Sequence, residues 1–70
     1  MERYTVYYDT TYSGWKIQDS LGRVYDDANN APFPTKKKAV KKARRMAKRD
    51  KPSQLIIEKV DGQVSEKRSY

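Results

Sequence analysis

Seventy residues make one domain at most, and a chain of this length buries only about 60% of the surface it exposes when unfolded, so the core is thin. The chain has no cysteine and no histidine, which excludes disulfides, Cys/His zinc sites and nucleophile systems of the Ser-His-Asp or Cys-His type. The net charge of +7 is unevenly laid out: residues 36–51 hold ten basic groups and one acid, Asp50, for +9, while the rest holds six basic and eight acidic groups, for −2.

Arg3-Tyr4-Thr5-Val6-Tyr7-Tyr8 is rich in aromatic and β-branched residues and reads as a strand. Asp9 to Gly14 is turn-like. Trp15-Lys16-Ile17-Gln18 alternates apolar and polar and reads as a second strand paired with the first. Asp19-Ser20-Leu21-Gly22 turns the chain into a short third strand, Arg23-Val24-Tyr25. Asp26 to Pro34 reads as a loop, because two prolines and two adjacent asparagines disfavour regular structure.

Thr35 is a good N-cap for a helix over about 36–49, because its hydroxyl can accept from an orphan amide. Ala39, Val40, Ala43, Met46 and Ala47 form one apolar stripe at helical spacing. The opposite arc holds Lys37, Lys38, Lys41, Lys42, Arg44, Arg45, Lys48 and Arg49, with no acid among them. Lysines in the first turn oppose the helix dipole, so helix stability alone does not account for them.

Pro52 closes the helix. Gln54 to Val60 is the most apolar strand, and Asp61-Gly62 signals a two-residue type I′ hairpin into a last strand over 63–68. The expected fold is α+β, in the order β-β-β-α-β-β: an antiparallel sheet of four or five strands with one helix on one face. The expected core is Tyr4, Val6, Trp15, Ile17, Val24, Phe33, Ala39, Val40, Ala43, Met46, Ala47, Leu55, Ile57 and Val64. Trp15 should lie beneath the helix, near Ala43 or Ala47.

These residues resemble a family of short proteins known as domain of unknown function 2188. The matching pieces are Tyr4-x-Val6, Gly14-Trp15-x-Ile17, and Thr35-Lys36-x-x-Ala39-Val40-x-x-Ala43-Arg44-x-Met46-Ala47. Leu55-x-Ile57, Asp61-Gly62-x-Val64 and Tyr70 complete them. The resemblance implies a small β-rich fold with one helix and supplies no reaction. The chain departs from the pattern in a longer segment from Asp19 to Pro34 and in an outer helix face that is almost purely basic.

The basic arc is the leading site. Eight cations on one face can neutralise phosphates and release counterions, and the arc lacks the Asn and Gln residues that read base edges. The expectation is largely sequence-independent nucleic-acid binding, with duplex DNA slightly favoured; the plainer reading is a solvated, solubilising surface. Lys16, Arg23, Tyr7 and Tyr25 are candidates for a stacking surface on an uncovered sheet face, against the plainer reading of cross-strand packing. The alternative function is a protein-interaction or self-associating module, a homodimer joined through that face.

Trp15 reads as core before it reads as a base-stacking residue. Asp26-Asp27 reads as a solvated loop, because no further oxygen ligands stand at metal-binding spacing. No metal, cofactor or catalytic residue is expected, and the chain is not expected to be an enzyme. With no apolar stretch longer than Leu55-Ile56-Ile57 and no cysteine, a cytoplasmic protein is expected, without a membrane partner.

Overall fold

A computed structural model describes residues 1–70. Its elements are β1 (Glu2–Asp9), β2 (Gly14–Gln18), β3 (Val24–Tyr25), α1 (Lys36–Arg49), β4 (Ser53–Glu58) and β5 (Val64–Ser69). The five strands form one sheet in the order β3-β2-β1-β4-β5. The order β-β-β-α-β-β and the single helix on one face are as expected from periodicity. The sheet is mixed, however, and not purely antiparallel: β1 and β4 run parallel, with Val6 opposite Ile57. The helix supplies the reason. It carries the chain back across the sheet from β3, so β4 starts from the same end as β1, and a parallel pair needs such a crossover.

Alternation along the strands builds the core. Tyr4 and Val6 of β1, Trp15 and Ile17 of β2, and Leu55 and Ile57 of β4 point to the helix and are buried, together with Phe33. Ala39, Ala43, Met46 and Ala47 close the core from above. Three of these are alanines with no exposed surface, so α1 sits close to the sheet. Three expected core members lie elsewhere. Val24 and Val64 are exposed, and Val40 is only partly buried. Val24 pairs with Gln18 and Val64 with Glu58, both of which point away from the helix. Val40 sits on the flank of α1 that overhangs β5, and α1 packs over β1, β4 and β2 without reaching β5.

Trp15 is buried at the N-terminal end of α1, not near Ala47. The Lys36 ammonium stands 5.5 Å from its ring, and Tyr8 meets it edge-on. Ala47 lies at the other end, where its carbonyl accepts from the Ser53 hydroxyl.

The caps follow the sequence. The Thr35 hydroxyl accepts from the Lys38 amide at 3.2 Å. Asp50 ends the helix, donating its own amide to the Met46 carbonyl. Its carboxylate accepts from the Arg49 guanidinium and the Tyr4 hydroxyl.

The turns correct one expectation and add detail to another. At Lys59–Gln63 the Lys59 amide donates to the Gln63 carbonyl, the Gly62 amide donates to the Lys59 carbonyl, and Gly62 alone has positive φ (+89°). That is a three-residue hairpin, a type I turn with a glycine bulge, and not the two-residue type I′ turn. Asp61 keeps ordinary φ, and its carboxylate accepts from the Gln63 amide across the turn. The same bonding recurs at Asp19–Arg23, with Gly22 at positive φ, and at Asp27–Ala31, with Asn30 at +58°. The 26–34 segment is therefore ordered by one of the turns the sheet itself uses. Phe33 then exchanges both backbone hydrogen bonds with Trp15, which straps the segment to β2. Gly14 is required beneath that strap, because a Cβ there would collide with the Pro32 ring.

Candidate nucleic-acid interface

The eight cations expected on the outer arc of α1 are all exposed: Lys37, Lys38, Lys41, Lys42, Arg44, Arg45, Lys48 and Arg49. The apolar stripe orients them, since burying Ala39, Ala43, Met46 and Ala47 against the sheet turns the opposite arc of the helix outward. Arg49 forms an ion pair, with Asp50, at 3.1 Å. The other seven form none, so their charge is free for an external anion. At 1.5 Å rise per residue, the row from Lys37 to Lys48 spans roughly 16 Å. The ninth cation of the helix, Lys36, is half-buried over Trp15 and belongs to the core's rim.

The second expected group does not come together. Tyr7 lies directly opposite Lys16, on the sheet face away from the helix. Tyr25 lies opposite Ile17, which places it on the helix side of the sheet, packed against the edge of the core. Arg23 and Tyr25 both bind Asp19, through Nε at 2.7 Å and through the phenolic hydroxyl at 2.9 Å. The sheet therefore separates Arg23 and Tyr25 from Lys16 and Tyr7, and no four-residue stacking surface exists. The physical reason is the turn at Asp19–Arg23, which sets the register so that Arg23 and Tyr25 share the side of Asp19 and Ile17.

Lys16 is also occupied. Its ammonium lies 3.5 Å from Asp9, 3.8 Å from Asp26 and 4.4 Å from the centre of the Tyr12 ring. Asp26 is therefore not a freely solvated loop residue; one of its carboxylate oxygens is buried and has no hydrogen-bond donor. Asp27 accepts from the Asn29 and Ala31 amides and holds its turn. Burial raises the Tyr7 hydroxyl above its ordinary value, the Lys16 charge works against that rise, and the nearby carboxylates of Asp9, Asp26 and Glu58 add to it.

Sequence reasoning missed one organising residue. The Asp19 side chain is almost wholly buried and accepts four bonds: from the Leu21 and Arg23 amides, the Arg23 guanidinium and the Tyr25 hydroxyl. Burial alone would raise its carboxyl, but the bonds from Arg23, Tyr25 and Leu21 outweigh it and hold the group below the ordinary carboxylate range. The available signal was an aspartate heading an x-x-Gly turn with an arginine at the fifth position.

No group of three or more carboxylates, cysteines or histidines stands together as a metal site, and no helix is long and apolar enough to cross a membrane. The chain belongs to the family described as "Uncharacterized protein conserved in bacteria (DUF2188)", whose model matches residues 4–70. No curated protein and no solved structure matches it.

Proposed function

We propose that this member of the family binds nucleic acid through the outer face of α1, mainly by phosphate contacts and with little sequence preference. One observation carries the reading: seven exposed cations, Lys37, Lys38, Lys41, Lys42, Arg44, Arg45 and Lys48, share one helical arc without a single ion pair. Like charges at i,i+4 repel one another, and Lys37/Lys41, Lys38/Lys42, Lys41/Arg45 and Arg44/Lys48 all stand at that spacing. An anion laid along the arc relieves that repulsion.

A duplex carries about one charge per 1.7 Å of axis, so a 16 Å length holds roughly nine phosphate charges, of which about four can face the row. Bonds to phosphate fix position and carry no sequence information. The arc has no Asn or Gln to read adenine, and its arginines stand among lysines that favour the backbone. Duplex DNA is the preferred form, because a straight, rigid helix meets a regular phosphate array over several turns.

Titration of a labelled duplex by fluorescence anisotropy, at 50 mM and 200 mM salt, tests the proposal. With about four phosphate contacts, log affinity falls against log salt with a slope near −3.6. Duplexes of unrelated sequence should bind within a few-fold of one another. Absence of binding at 50 mM salt overturns the reading.

A further inference from the structure

We infer that the edge of β5 and the flank of α1 beside it form a second binding surface, one that takes an acidic, extended protein segment as an added strand. This inference does not depend on nucleic-acid binding and would stand if that failed.

The helix does not reach β5, which leaves the last strand uncovered on its helix side and unpaired along its outer edge. Between α1 and β5 runs a cleft of about 550 Å³. Val40 and Ile57 form its apolar floor, Lys37, Lys41 and Arg44 overhang it from the helix, and Arg68 rises from the strand. Glu66 is the one acid in the lining, and it is ion-paired with Arg68. The cleft is therefore strongly cationic above an apolar floor.

The backbone of the edge is open in a defined way. Ser53 and Tyr70 exchange both of their hydrogen bonds, so the bonded pairs continue at Leu55/Arg68 and Ile57/Glu66. Lys67 and Ser69 consequently turn their amides and carbonyls outward, away from β4. Free edges of this kind pair with extended peptides, which gain main-chain bonds along the edge and specificity from alternate side chains.

Charge decides the occupant. On an added strand every second side chain would point to the helix side, beside Arg68 and toward Lys37, Lys41 and Arg44. Glutamates at those positions meet three or four cations, and their methylene stems lie toward the apolar floor. A basic or neutral strand would leave Lys37, Lys41 and Arg44 uncompensated.

The probe is a fluorescein-labelled octapeptide of alternating threonine and glutamate. Its control is the block isomer with four threonines followed by four glutamates, equal in composition and charge. The alternating peptide should bind at least tenfold more tightly than the block isomer. Lys67→Pro removes one outward amide and no bond to β4, and proline is tolerated at such an edge position. It should weaken the alternating peptide at least tenfold, whereas Lys67→Gln, which loses the charge but keeps the amide, should change it less than threefold. In the unaltered protein, hydrogen exchange at the Lys67 and Ser69 amides should slow when the alternating peptide is bound, which reads the added strand even if the proline variant does not fold. Equal binding of the two isomers, or exchange at Lys67 and Ser69 unchanged at saturation, overturns the inference and leaves only charge attraction. Failure of both peptides to bind overturns it as well.

Discussion

The cations on the outer arc of α1 and Lys16 on the far sheet face carry the same charge, yet the fold disposes of it in opposite ways. On the sheet face, Lys16 stands between Asp9 and Asp26 and over Tyr12, so its charge is answered within the fold. On the helix, seven cations have no internal partner. Counting charges along the chain separates a +9 segment from a −2 remainder, but it does not say which charges are free; the fold decides that. The lesson is that an exposed cation signals a partner only after its internal partners have been counted.

Stability gives the largest contrast between the two faces. Trp15 is buried on the helix side, beneath Lys36 and against Tyr8, so Trp15→Ala should cost about 3–5 kcal/mol in chemical denaturation. Tyr7, opposite Lys16 on the far face, contributes through cross-strand packing, and Tyr7→Ala should cost about 1 kcal/mol or less. Equal costs would mean that the far face is as much a core as the near one.

Next in size is the closeness of helix and sheet. Ala43 has no exposed surface, and Ala43→Leu should overpack the interface at a cost of about 1–3 kcal/mol, measured by urea unfolding. The outer arc would be lifted with the helix but keep its charges, so the variant should retain duplex binding where it is folded.

A smaller effect concerns pH. Arg49 and Tyr4 hold the Asp50 carboxyl below the ordinary value of 3.8, and Asp19 is also held below it despite the opposing effect of burial. Groups lowered in the folded state contribute stability above pH 3.8 that is lost as pH falls through their folded values. Burial first, and then the Asp50 carboxylate, raise the Tyr4 hydroxyl from 10.0 to about 12. Its contribution is intact below pH 10 and is lost between pH 10 and about 12. Thermal melts across pH should therefore fall at both ends. Asp50→Asn should soften both falls, since one acid in the fold is common to them.

The smallest effect tests the far face directly. Lys16→Gln should leave duplex affinity within about twofold, because a cation already held by two carboxylates releases few counterions. Melting temperature would register the lost ion pairs instead.

Much of this was legible in the sequence, for identifiable reasons. The period changes from two to 3.6 at Thr35, Thr35 and Pro52 bound the helix Lys36–Arg49, and Ala39, Ala43 and Ala47 mark its buried face. Those alanines also fix the outward arc, so the cations are legible from the helical period alone. The far face was less legible because register flips sides with every residue. Tyr25 and Arg23 fall on the helix side through the three-residue turn at Asp19–Arg23, whose length composition does not reveal. The parallel pairing of β1 with β4 depends on where the helix crosses, which no local pattern encodes. Val24 and Val64 look like core residues by type, but their partners Gln18 and Glu58 show the face they occupy.

In the proposed interface, the position of the free cations counts, and not the total charge. Two double charge reversals separate these. Lys41→Glu with Arg45→Glu alters the outer arc. Arg3→Glu with Lys67→Glu makes the same change in net charge on the far sheet face, where neither residue forms an ion pair. Duplex affinity and its salt slope should be measured for both by anisotropy, with far-UV circular dichroism to check the fold. The helix pair should lose at least tenfold in affinity at 50 mM salt, with a slope that flattens by roughly two contacts, or about 1.8. The sheet pair should stay within a few-fold of the unaltered protein with its slope intact. Equal losses from the two pairs would show that binding follows net charge alone and would contradict the account.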